Sequence, residues 1–127
     1  MSSEIRVGII GAGANTRSRH IPGLQAIDGV EIAAVANRSI ESGEKAAADF
    51  NIPQAMAHWK EIIASPDINA VVIGTWPYLH CPIAVAALEA GKHVLCEARM
   101  AMNAGEAREM YRVSLEHPEL TAQIVPS

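Results

Sequence analysis

Short apolar runs alternate with longer stretches of helical spacing along the whole chain. Ile5 to Ile10 is a short, mostly apolar run, as expected of a strand buried on both faces of a parallel sheet. Arg17 to Ala26 then carries Ile21 and Leu24, followed by Ile27, at the spacing of one helix face. Asp28-Gly29 is a turn, and Val30 to Ala36 reads as the second strand. Ser39 or Ser42 caps the next helix, which runs to about Phe50 with Ala46, Ala47 and Phe50 inward, and Asn51-Ile52-Pro53 closes it. His58 to Ala64 predicts a short helix ended by Ser65-Pro66-Asp67. Ala70 to Gly74 is the third strand, Thr75 to Tyr78 a loop, and His80 to Ala90 an alanine-rich helix stopped by Gly91 as a left-handed cap. His93 to Cys96 is the fourth strand. Asn103 caps the last helix, with Ala107, Met110, Tyr111, Ser114 and Leu115 on one stripe and Pro118 at its end. Thr121 to Val125 is a fifth strand.

Strands alternating with helices at this spacing predict βαβ units and a parallel sheet. Right-handed crossovers turn that sheet into an open, doubly wound α/β fold of three layers, α/β/α, with strand order 3-2-1-4-5. A chain of 127 residues fits one domain spanning 1–127. Ligands in such sheets bind beyond the carboxyl ends of the strands, where the order reverses. The segments falling there are Gly11–Thr16, Asn37–Ser39, Gly74–His80 and Glu97–Arg99, which hold most of the unusual residues in the chain.

Composition removes several function classes. The net charge of −4 argues against a basic nucleic-acid face. No apolar run of about eighteen residues or more is present, and the N-terminus lacks the pattern of a signal peptide. Cys81 and Cys96 fit neither a zinc pattern nor a disulfide framework, so free thiols in a cytoplasmic protein without a metal are expected.

Gly11-Ala12-Gly13-Ala14-Asn15-Thr16 follows a strand and opens a helix. A tight glycine turn lets backbone approach a phosphate, and a helix start offers unpaired N–H groups and a positive dipole end. A dinucleotide diphosphate is the expected ligand, with a purely structural turn as the bland alternative. Thr16 stands where a third Gly or Ala is common. Either it pushes the helix outward or its hydroxyl donates to a phosphate.

The end of the second strand discriminates cofactors, since a carboxylate there binds the ribose 2′-hydroxyl of NAD. Here the residues are Asn37-Arg38-Ser39, a guanidinium and a hydroxyl with no acid. A 2′-phosphate meets complementary charge, so the chemistry leans to NADP, with NAD still possible and Arg38 as an ordinary surface residue the alternative. Thr75, Trp76 and Tyr78 follow the third strand; the rings either wall a nicotinamide or adenine pocket or pack beneath the loop. His80 reads as a helix-start residue more than a catalyst and is counted with Thr75 and Trp76 among the cofactor-binding residues, and Trp59 reads as structural.

One more stretch completes a recognisable pattern: Ala87-Leu88-Glu89-Ala90-Gly91-Lys92-His93-Val94-Leu95-Cys96-Glu97. With Gly11-x-Gly13, His20, Pro66-Asp67-Ile68-Asn69-Ala70-Val71-Val72-Ile73, Thr75 and His80, the chain resembles the N-terminal Rossmann domain of the glucose-fructose oxidoreductase / inositol dehydrogenase (Gfo/Idh/MocA) family over essentially its whole length. The resemblance implies NAD(P)-dependent oxidation or reduction at a hydroxyl-bearing carbon, often of a sugar or cyclitol. It matches Glu97 to the family's ribose-contacting acid. It also implies a C-terminal domain that supplies the substrate pocket, the proton-relay residues and the contacts of a homo-oligomer. That domain is absent from this chain, so the small-molecule substrate is expected only in its company, and no catalytic residue is assigned.

The family's Glu-Lys-Pro is Glu97-Ala98-Arg99 here. Ala98 has no proton to give, and an arginine is no general acid. Without the proline the usual reason for a cis bond is gone. A subgroup with its own chemistry is the favoured explanation. A non-catalytic dinucleotide sensor or regulator is the alternative function, and a domain that has lost its ligand the third.

Overall fold

The computed structural model describes residues 4–13 and 16–125. Among these residues, six strands form one sheet in the order β3-β2-β1-β4-β5-β6: β1 Ile5–Ile10, β2 Val30–Ala36, β3 Gln54–Met56, β4 Ala70–Ile73, β5 His93–Cys96 and β6 Ala122–Ile124. Every neighbouring pair is parallel. The doubly wound order 3-2-1-4-5 is present, extended by a sixth strand, but its third strand is not the one at Ala70 that the sequence puts there. Gln54–Met56, read from sequence as part of a connection, takes third place at one edge, so the strand at Ala70 is fourth and lies beside β1. This is the doubly wound Rossmann arrangement, and its order reverses between β1 and β4.

Among the described residues, five α-helices cover the sheet: α1 Ile21–Gln25, α2 Ile40–Phe50, α3 Trp59–Ala64, α4 His80–Glu89 and α5 Ala104–Glu116. The alternation of each strand sorts its side chains between two cores. Val7, Ile9, Ile32 and Val35 meet Ile21 and Ala46 on the α1–α2 face. Ile10, Ala34, Val71, Ile73, Val94 and Cys96 meet Ile62, Ile83, Ala87, Met110 and Val113 on the other. The interior is thus built from small and β-branched residues, which bring backbone layers close.

Caps set the helix limits. Ser39 caps α2 by accepting from Ser42 N at 3.2 Å, and Asn103 caps α5 by accepting from Glu106 N at 2.9 Å. Gly91, at φ 79°, ends α4 as the left-handed residue its sequence position implies. Buried Lys92 follows it, and Nζ donates to the carbonyls of Ser65 (2.8 Å) and Ile68 (2.6 Å), tying the turn before β5 to the turn before β4.

Two local expectations change. The first helix opens with a π-helical turn over Thr16–His20 before α1. On α5 the inward stripe is Met110 and Val113 with Ala107 packed against it, while Tyr111 and Leu115 are 63% and 61% exposed. The spacing of apolar residues on α5 admits two overlapping stripes, and Val113 selects the one that faces α4.

Candidate functional site

The carboxyl ends of β1, β2, β4 and β5 converge on one cleft of about 790 Å³. The sheet ladder continues past the strands into its wall. Gly11 N donates to Ala36 O at 2.9 Å, Gly74 N to Ile10 O at 2.8 Å, and Glu97 N to Ile73 O at 3.0 Å. The first residue of each of these three loops is therefore held by the strand beside it. The cleft walls are rigid at their base, as a preformed ligand site requires.

Gly11, Gly13 and Thr16 line the cleft from the β1 side. Gly11 has φ +85°, and a Cβ on it would stand 2.8 Å from Thr75 N and 2.9 Å from the Gly74 carbonyl carbon. Only glycine fits, because the turns after β1 and β4 touch. Gly74 is the reciprocal case, since its Cβ would stand 2.5 Å from Gly11 O and would also meet Thr16 Oγ1. Thr16 is thus buried against the bare backbone of Gly74. The bulk expected to push the helix outward is absorbed there. Among the described residues beyond its chain neighbours, a Cβ on Gly13 would meet nothing nearer than Gly74 O at 4.0 Å. Its missing side chain leaves space on the cleft side. Ala14 and Asn15, the remaining members of the expected cradle, lie outside the described residues.

Asn37 and Arg38 line the cleft at the end of β2. The Asn37 side chain is fully engaged: Oδ1 accepts from Ala12 N at 2.7 Å, and Nδ2 donates to Ser42 Oγ at 2.9 Å and Ser42 O at 3.3 Å. Arg38 is exposed and makes no ion pair or side-chain hydrogen bond with any described residue. Ser39 does not line the cleft, because its hydroxyl is spent capping α2; Ser42 lines it instead.

From β4, Thr75, Trp76, Pro77 and Tyr78 form the opposite wall. Trp76 is 69% exposed, so its ring stands at the cleft and not in the core. His80 is 0% exposed and does not line the cleft. Its Nδ1 lies 2.7 Å from Arg99 O and its Nε2 2.9 Å from Thr75 O.

Glu97 and Ala98 complete the β5 side. His20 Nε2 contacts Glu97 Oε1, so the first helix reaches across the strand ends to the acid. Cys96, just beneath, is fully buried, and burial with the Glu97 charge pushes its thiol up to about 12. It is an inert packing residue. The Ala98–Arg99 peptide is cis without a proline. Among the described residues no cluster of His, Cys, Asp or Glu is arranged to hold a metal ion.

Ala57, His58 and Trp59 also line the cleft, although the sequence places His58 and Trp59 only in a short helix, with Trp59 structural, and assigns none of the three to the site. They follow the short β3 and border the β2 side, where Trp59 also packs against the core. Recognising β3 as an edge strand would have placed its following loop at the same sheet end.

With a glycine turn after β1, an engaged side chain after β2 and an acid after β5 at one cleft, the sequence matches over residues 5–122 a family described as an oxidoreductase family with an NAD-binding Rossmann fold. The chain belongs to the Gfo/Idh/MocA family. Among its relatives, 1,5-anhydro-D-fructose reductase of Ensifer adhaerens is 37% identical over 105 residues, 83% of this chain and 31% of that protein. Trans-1,2-dihydrobenzene-1,2-diol dehydrogenase of Mus musculus is 37% identical over 108 residues, 84% of this chain and 32% of that protein. In structure the domain is similar to KijD10, a 3-ketoreductase from Actinomadura kijaniata solved with NADP and TDP-benzene. The TM-score is 0.85 at 28% identity, covering 94% of this chain and 36% of that one. This Gfo/Idh/MocA chain therefore spans about a third of the length of these relatives. No helix among the described residues is long and apolar enough to cross a membrane.

Proposed function

We propose that this Gfo/Idh/MocA domain binds NADP in preference to NAD, as the cofactor module of an oxidoreductase acting on CH–OH groups of a sugar, polyol or similar small molecule. The observation that carries the preference is Arg38: an exposed, unpaired guanidinium lining the cleft at the end of β2, where a carboxylate would favour NAD. The residues fit the dinucleotide. Gly13 leaves the β1 turn open to a diphosphate, Arg38 and Ser42 offer donors to a 2′-phosphate, and Trp76 offers an exposed ring. Glu97, steadied by His20, suits a ribose hydroxyl.

NADP, when bound, supplies hydride exchange at its nicotinamide. The domain's own residues bind and orient it. Ala98 offers no proton, so the acid or base of the reaction is assigned to a second domain, which the whole protein would also use for its substrate and for homo-oligomer contacts. Partners among nucleic acids or membranes are not part of this reading. Two buried free thiols support a reducing, cytoplasmic setting.

Ala98 also favours a second reading, a non-catalytic dinucleotide sensor. The two separate on the full-length protein. Turnover of NADP with a member of a panel of sugars and polyols supports the oxidoreductase. Tight NADPH binding with no turnover across the panel supports the sensor. No thermal shift at millimolar cofactor rejects both.

A further inference from the structure

The turns after β4 and β5 meet through one buried ring. His80 opens α4, yet its side chain runs beneath the cleft floor and not into it. Nδ1 faces the carbonyl of Arg99, 2.7 Å away in the loop after β5. Nε2 faces the carbonyl of Thr75, 2.9 Å away in the loop after β4. Carbonyl oxygens only accept. A ring with one hydrogen satisfies one of them at a time, and a ring with two satisfies both. No other described side chain hydrogen-bonds both loops.

The two loops are otherwise held from below. Gly74 N bonds Ile10 O and Glu97 N bonds Ile73 O, which fixes where each loop leaves the sheet. Nothing in that ladder fixes the distance between Thr75 and the Ala98–Arg99 segment above it. The imidazole spans that gap as a rigid spacer, with its two nitrogens on opposite edges of a plane. Thr75 and Ala98 both line the cleft, so the ring sets the width of the cleft between β4 and β5.

We propose that His80 is a positioning residue for the half of the dinucleotide lying beyond the diphosphate from Arg38. The inference rests on the cofactor reading above. The sheet order makes the direction explicit. Arg38 stands after β2 and the glycine turn after β1, so the other half extends towards β4 and β5, the two loops His80 joins. Adenosine 2′,5′-bisphosphate needs only the β2 and β1 side. NADP needs both sides.

Calorimetry with these two probes on the wild-type chain, His80→Gln and His80→Leu tests the role, with circular dichroism confirming that each variant folds. Glutamine carries both its hydrogens on one nitrogen and reaches one carbonyl; leucine reaches neither. The expected result is a loss of NADP affinity of about tenfold for His80→Leu and a smaller loss for His80→Gln, with the bisphosphate changed by less than about twofold in both. If His80→Leu does not fold, His80→Gln carries the comparison. Variants that bind NADP as the wild type does, or that weaken on both probes equally, overturn the positioning role. A wild-type chain that binds neither probe overturns the cofactor reading, and this role with it.

Discussion

Asn37 Oδ1 accepts a hydrogen bond from Ala12 N at 2.7 Å, and this bond joins the loop after β2 to the glycine turn after β1. The same side chain donates to Ser42 at the start of α2. One amide thereby uses its acceptor and its donors to hold three segments of the cleft together. Asn37→Ala leaves the Ala12 N–H without that partner. A loss of about 1–2 kcal/mol in urea unfolding is expected, together with weaker dinucleotide binding. Asn37→Asp keeps the acceptor for Ala12 but turns a donor towards Ser42 O into a second acceptor and adds negative charge beside Arg38. It is expected to move the NADP/NAD affinity ratio towards NAD by about tenfold, read by titrating both cofactors.

Gly11 and Gly13 are expected to part company. Gly11→Ala puts a Cβ against Thr75 N in a backbone of positive φ, so it is expected to destabilise the fold by about 3 kcal/mol. Gly13→Ala meets no described atom beyond its chain neighbours closer than 4.0 Å, so its melting temperature should stay near the wild-type value. Its methyl group stands at the phosphate cradle, and NADP affinity should fall by about tenfold. Thermal melts with and without NADP separate the two effects.

Cys96 gives a pH signature. Its unfolded thiol ionises near 9.0, while in the fold burial and Glu97 raise it to about 12. The neutral thiol is favoured by the fold, so this contribution to stability is whole below pH 9 and is lost as the pH rises towards 12. Burial of Cys81 raises its thiol as well, with the charges of Glu106 and Glu109 adding to the effect. Native alkylation by iodoacetamide should therefore be slow at pH 8 and still be rising with pH above 9. Protein unfolded in urea should react promptly at both thiols. Fast native labelling at pH 8 is the contrary outcome.

Much of the fold is legible in the sequence because parallel strands buried on both faces are apolar runs. Ile5–Ile10, Val30–Ala36 and His93–Cys96 have the limits their residues imply. Gln54–Met56 is hidden for the converse reason: three residues at a sheet edge, one of them polar and exposed, carry no run to detect. The site is legible where a residue type is fixed by local backbone, as at Gly11, or by its place at a strand end, as at Arg38 and Glu97. Contacts made across the chain are not. That His20 meets Glu97, 77 positions away, and that His80 turns inward to two carbonyls, follow from how the helices sit on the sheet. Ser39 and Ser42 are equal candidates in sequence for the cap, while only Ser39 falls in the segment expected at the cleft. The first turn of α2 assigns one role to each.

Calorimetric titration of NADP and NAD into the wild-type chain and Arg38→Ala probes the cofactor assignment most directly. Arg38 should act through the 2′-phosphate alone. The wild type is expected to bind NADP about tenfold or more tightly than NAD, and Arg38→Ala to abolish that difference while NAD affinity stays within about twofold. An NADP/NAD ratio that Arg38→Ala leaves unchanged, or a wild type that prefers NAD, contradicts the assignment.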